Sequence, residues 1–133
     1  MGSNRKEYLK QWKENNPDYA KQWNRGNPEK VKKYQKEYRH TLRGRFFDCK
    51  NNAKKRGFIF RITFDEFVEI TNQPCHYCGG EGYGIDRLDN TIGYLKDNIV
   101  SCCSMCNFMK KTYTKDKFIN QCAKIYTHWN ERK

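Results

Sequence analysis

Two cysteine pairs constrain this chain more than anything else in it: Cys75-His-Tyr-Cys78 and Cys103-Ser-Met-Cys106. Each C-x-x-C hook brings two sulfurs within reach of one ion, and two hooks complete a tetrahedral thiolate shell. Four soft sulfurs suit Zn²⁺, with an iron–sulfur cluster as the minor alternative. Four protein ligands leave no open position for water, so the site is expected to be structural. Cys102 abuts Cys103, but pairing 103 with 106 preserves the hook spacing. Cys49, Cys102 and Cys122 read as small hydrophobes. Seven cysteines would imply disulfides in a secreted chain. The polar N-terminus has no apolar signal core, so the expected setting is an intracellular, reducing compartment.

A staple of this kind is needed. Only 36% of the residues are hydrophobic and 32% are charged, so 133 residues cannot bury a large core. A structural zinc contributes on the order of 10 kcal/mol to folding, which decides the matter for so polar a domain.

The formal net charge of +12 is unevenly spread. Residues 1–56 hold 17 Lys/Arg against 6 Asp/Glu, and residues 57–133 hold 10 against 9. The expected organisation is therefore a basic helical arm over 1–56 and a near-neutral zinc domain over 57–133. A cationic arm points to a polyanion, most simply nucleic acid. The plainer readings are a solvated cationic helix or contact with an anionic membrane surface. No apolar run approaches the ~18 residues that a membrane span requires, and Lys6 spoils an N-terminal myristoylation signal.

Asn16-Pro17 recurs as Asn27-Pro28, and Trp12, Trp23 and Tyr34 fall eleven residues apart. Asn-Pro is a helix-start signal, which predicts short helices near 5–14 and 18–24. A longer helix is predicted from about Pro28 to Arg56, with Gly44 as a weak point. Tyr34, Tyr38, Leu42, Phe46, Cys49 and Ala53 form its apolar face. Arg39, Arg43, Lys50 and Lys54 form the opposite face, suited to nucleic acid. Thr63-Phe-Asp-Glu66 is a capping box for a helix reaching about Thr71. Short strands are predicted near 83–88 and 97–101, a helix from Ser104, and a last helix capped by Thr114.

Between the hooks lies Gly84-Ile-Asp-Arg-Leu-Asp-Asn90, followed by Gly93-Tyr94 and Asn98-Ile-Val. Cys75-His-Tyr-Cys78-Gly, Ile85-Asp86-Arg87, Asn98 and Cys103-Ser-Met-Cys106-Asn107 with Lys110 together resemble zinc-stabilised HNH endonucleases. The match covers about residues 73–112. The resemblance implies an α+β fold: a basic helical N-terminal arm, then a treble-clef-like ββα-metal domain with a C-terminal helix. The aromatic, basic leader resembles the arms of phage and large-virus members, implying a virus-encoded protein acting in a host cell. By position, Asp86 and Asn107 correspond to ligands of a catalytic divalent ion, Mg²⁺ or Mn²⁺. Asn98 corresponds to the residue that orients the general base. Arg87 stands where the family usually has that base, a histidine. Lys110 and Lys111, after the zinc helix, are expected to hold phosphates.

A guanidinium has no acceptor lone pair and cannot serve as the usual base. Three explanations stay open. Arg87 clamps the scissile phosphate; or another group, His76 or Asp89, serves as base; or catalysis is lost and the fold only binds. The leading expectation is a metal-dependent DNA endonuclease of homing or mobile-element type, with DNA favoured over RNA. The alternative is an inactive HNH-derived binding module in a nucleoprotein assembly. The sequence says nothing about oligomeric state.

Overall fold

The computed structural model describes residues 2–133. They form seven α-helices, a short 3-10 helix (Lys96–Asn98) and a two-stranded sheet, in two compact units, residues 1–40 and 41–133. No helix among the described residues is long and apolar enough to cross a membrane.

The first unit holds α1 (Gly2–Asn15), α2 (Tyr19–Gly26) and α3 (Pro28–His40). Neither α2 nor α3 buries a residue. The eleven-residue repeat is used in aromatic pairs: Trp12 meets Tyr19 edge-on at 4.9 Å and Trp23 stacks on Tyr34 at 6.5 Å. The repeated asparagines act backwards. Asn16 donates its side-chain amide to Trp12 O at 2.8 Å, and Asn27 donates to Trp23 O at 2.9 Å. Each closes the helix before it, satisfying a terminal carbonyl that the helix leaves without a partner.

The predicted long helix is two helices. Thr41 is extended and accepts from Gly44 N at 3.0 Å, so it caps α4 (Leu42–Lys55). A well-placed threonine cap ends the preceding helix more decisively than a glycine weakens it. Gly44 is buried inside α4. The unit boundary consequently falls after His40, sixteen residues before the expected one, and α4 belongs to the second unit. Of the predicted apolar stripe, Phe46 and Ala53 are buried, with Leu42 and Cys49 packed against the core. Tyr34 and Tyr38 are exposed.

The core of the second unit is Phe46, Ile62, Phe67, Ile85 and Ile99. Phe46 meets Phe60, Phe64 and Phe67 edge-on, each at 5.6 Å. Such rings bring about 0.5–1.5 kcal/mol per pair beyond burial. The predicted capping box is present, with Thr63 and Glu66 exchanging both bonds at the start of α5 (Phe64–Thr71). Strand β1 (Gly84–Arg87) runs antiparallel to β2 (Ile99–Cys102), pairing Asp86 with Val100 and Arg87 with Ile99. Phe60 and Tyr94 make a single parallel bridge. That bridge requires glycine at 93, where a Cβ would lie 2.5 Å from Ile59 O. Helices α6 (Ser104–Lys110) and α7 (Lys115–Asn130) complete the unit. The order β1–β2–α6, with a cysteine hook before β1 and another at the β2–α6 junction, is the expected α+β arrangement.

Candidate active site

The sulfurs of Cys75, Cys78, Cys103 and Cys106 all lie within 4.8 Å of one another. Cys78 Sγ and Cys103 Sγ are 3.8 Å apart. A tetrahedron with zinc–sulfur bonds of about 2.3 Å has edges of about 3.8 Å, so the spacing fits such an ion. Cys103 caps α6, its sulfur accepting from Cys106 N at 3.4 Å. Burial opposes ionisation of Cys75, but hydrogen bonds from the Cys103, Cys78 and Tyr77 backbone outweigh it and lower the thiol pKa to about 6. Cys106 is pushed up, by burial and then by sharing hydrogen bonds with Cys103, Cys78 and Cys75. The fifth nearby thiol, Cys102, is buried and donates to Cys103 O. It lies outside the four-sulfur set.

The four sulfurs fix the strand and helix that carry the second cluster. Asp86 on β1 and Asn107 on α6 line one cavity of about 330 Å³, lined also by Asn52 of α4 and by Arg56 just past its end. Arg87 and Lys111 also line it. Asp86 is 6% exposed and Asn107 is exposed. One oxygen of Asp86 is fully engaged: Oδ2 accepts from Tyr77 Oη at 2.5 Å and pairs with Lys110 Nζ at 3.0 Å. Burial, then the bond to Asp86 and its negative charge, raise Tyr77 above the usual phenol range, so it stays a donor.

Lys110 is completely buried. Beyond Asp86 it donates to Arg87 O at 3.4 Å. It therefore does not offer its ammonium to a phosphate at the surface, as its place in the sequence had led us to expect. A buried lysine needs a counter-charge because desolvation of an unpaired ammonium costs several kcal/mol, and Asp86 supplies it. Lys111, by contrast, is exposed and borders the cavity.

Arg87 is 4% exposed. Its Nη1 donates to Asn90 O at 2.9 Å and Ile92 O at 3.0 Å. Its guanidinium lies 3.8 Å from the Phe58 ring centre and 5.3 Å from that of Tyr94. These contacts tie down the loop after β1. Asn98 does the same from the other side. Its amide donates to Asp89 O and Gly93 O, both at 3.0 Å, while its oxygen accepts from Asp89 N at 2.9 Å. Asn90 then links the loop to the α6–α7 connection by donating to Thr112 O at 2.7 Å.

Neither alternative base reaches the cavity lining. Asp89 turns back on its own loop, accepting from Thr91 N and Thr91 Oγ1 at 2.8 and 2.6 Å. Those two bonds hold its carboxyl below the usual range. His76 is exposed and meets Tyr77 edge-on at 5.2 Å. No histidine is among the described residues lining the cavity. Of the other cationic candidates, Arg39, Arg43, Lys50 and Lys54 are all exposed. Arg39 lies in the first unit and the other three on α4. Arg43 rests 4.4 Å over the Phe64 ring.

Sequence reasoning missed Tyr77 and Phe58, and misjudged Lys110. The signal for Lys110 was available: it lies four residues after ligand Cys106, on the face of α6 that must turn inward. Tyr77 sits inside the first hook beside the exposed His76, so its half-buried place against Asp86 has no local signal.

No family model matches this chain. It is 38% identical over 81 residues to an uncharacterized protein of Acanthamoeba polyphaga mimivirus, covering 57% of this chain and 15% of that protein. It is 29% identical over 79 residues to an uncharacterized protein of Enterobacteria phage T4, covering 53% of this chain and 32% of that one. The chain thus spans less than a third of either curated relative, and both are viral. Among solved structures, the rare-cutting HNH restriction endonuclease PacI is similar with a TM-score of 0.52 and 20% identity. The likeness covers 69% of this chain and 81% of that one. The chain has an α+β fold that resembles the HNH endonuclease PacI, built around four cysteines placed to hold a metal ion.

Proposed function

We propose that the protein is an HNH-like, metal-dependent DNA endonuclease with a structural zinc at the four cysteines. One observation carries the reading. A carboxylate from β1 and an amide from α6 line a single cavity, together with the cations Arg56 and Lys111, in a fold shared with a nuclease. Donor chemistry fits a hard ion: one carboxylate and one amide oxygen, with room left for water and phosphate oxygens. Asp86 and Asn107 would hold such an ion. When bound, it supplies charge stabilisation for a phosphodiester under attack and makes a bound water more acidic.

The chain's own residues do the rest. Tyr77 and Lys110 hold Asp86 by Oδ2, which leaves Oδ1 as its free oxygen. Lys111 and Arg56 attract the phosphate backbone, and the basic first unit adds affinity without choosing sequence. Arg87 and Asn98 keep the loop after β1 rigid, so Asp86 does not wander. The DNA assignment rests on the likeness to PacI.

A second reading is favoured by a specific observation. No histidine is among the described residues lining the cavity, and Arg87 is committed to loop carbonyls. A binding module descended from a nuclease would look like this. Supercoiled plasmid decides between the two. With Mg²⁺ or Mn²⁺ the protein should nick it, and EDTA, Asp86→Asn or Asn107→Ala should each abolish nicking. Gel shifts without cleavage across those metals would leave the binding module. Cleavage that survives Asp86→Asn would remove Asp86 from the mechanism.

A further inference from the structure

Among the described residues, Asp86 is the one carboxylate lining its cavity, and it is outnumbered. Arg56, Arg87 and Lys111 line the same space. Lys110, buried beneath, already neutralises Asp86 through Oδ2 at 3.0 Å. A divalent cation entering alone would meet a lining with more positive than negative groups, which repels it. A polyanion changes the sign. A phosphate beside Arg56 and Lys111 supplies both the missing negative charge and further oxygens for a hard ion.

We propose that Lys110 is a resident cation of the Asp86 site, so that a divalent ion is taken up together with a nucleic-acid phosphate and not by the free protein. The inference rests on the nuclease reading above and adds an order of assembly to it. Lys110 is then a positioning residue. It fixes one carboxylate oxygen and sets how weakly the site holds metal until substrate arrives. Free protein would stay metal-poor at this site, and binding of either the duplex or the ion would strengthen binding of the other by the same factor.

The test measures Mn²⁺ uptake by the loss of the free-ion electron paramagnetic resonance signal, using the zinc-loaded full chain. Titrations are run with and without a phosphorothioate DNA duplex that resists cleavage. The site's share is the part of the uptake abolished by Asp86→Asn, with duplex alone subtracted. Duplex should tighten this share by about tenfold or more, within the ordinary range of coupling between two ligands. Lys110→Met should raise the affinity of free protein for Mn²⁺ and shrink the effect of duplex. Because that variant loses a buried pair and can fail to fold, Arg56→Ala and Lys111→Ala on the exposed rim provide the same reading. Each should raise free-protein affinity by about threefold through weaker repulsion.

Equal Mn²⁺ affinity with and without duplex, in protein that nicks plasmid, would overturn the coupling and leave the nuclease reading standing. So would folded variants that bind Mn²⁺ no better than wild type. No Asp86-dependent uptake in either state would overturn both.

Discussion

The second unit holds two clusters of ligand-type groups a few residues apart in sequence, and they are built on opposite terms. At the four cysteines, sulfurs stand 3.8 Å apart at one edge and all within 4.8 Å. At Asp86, a single carboxylate is already paired with a buried lysine. The first arrangement is incomplete without an ion. The second is balanced without one. A protein that keeps one metal permanently and exchanges another with substrate needs this contrast. On the proposed reading, it also separates what folds the chain from what would act on a phosphate.

The contrast can be broken most forcefully at the sulfurs. Cys106→Ser, or zinc chelation, should unfold residues 41–133, with a loss on the order of 10 kcal/mol. Far-ultraviolet circular dichroism would show it. Asp86→Asn should leave that signal intact, and comparable loss of structure from both would erase the distinction between the sites.

The buried pair comes next. Lys110→Ala strands Asp86 in a site that is 6% exposed, and Asp86→Ala strands Lys110, which is not exposed at all. Each should cost about 3–5 kcal/mol in urea unfolding, because one charge is left buried without its partner. The double replacement with apolar residues should cost much less than the sum. Additive losses would mean the two side chains do not depend on one another.

The smallest effect is at Arg87. Arg87→His removes two bonds to loop carbonyls and the contact over Phe58. About 2–3 kcal/mol of stability should be lost, with hydrogen bonds to a charged donor as the main part. Nicking should not increase, because a shorter ring at that buried position faces carbonyls that it would have to satisfy. Faster nicking would revive the view that Arg87 replaced a lost base.

How far these sites were legible in the sequence follows from how local their causes are. The cysteine hooks were legible because a C-x-x-C closes on itself. The Thr63–Glu66 cap and the β1–β2 pairing were legible for the same reason, as short-range patterns. Asp86 and Asn107 came through resemblance, and they do line one cavity. What failed was long-range. Lys110 looked like a surface cation because neighbouring Lys111 is one. Its burial depends on Asp86, 24 positions earlier, and on Tyr77 across the hook. Arg87 looked available because nothing local marks Phe58 and the carbonyls of Asn90 and Ile92 as its partners. The predicted long helix is split because Thr41 caps α4, a signal the reading passed over.

The measurement that tests the central claim most directly is a crystal structure of the protein with duplex DNA and Mn²⁺, read by anomalous scattering at the manganese edge. The account predicts a manganese peak in the cavity between the Asp86 carboxylate and the Asn107 amide, next to a phosphate. A bound duplex with no manganese there, from a preparation that cuts plasmid, would contradict it.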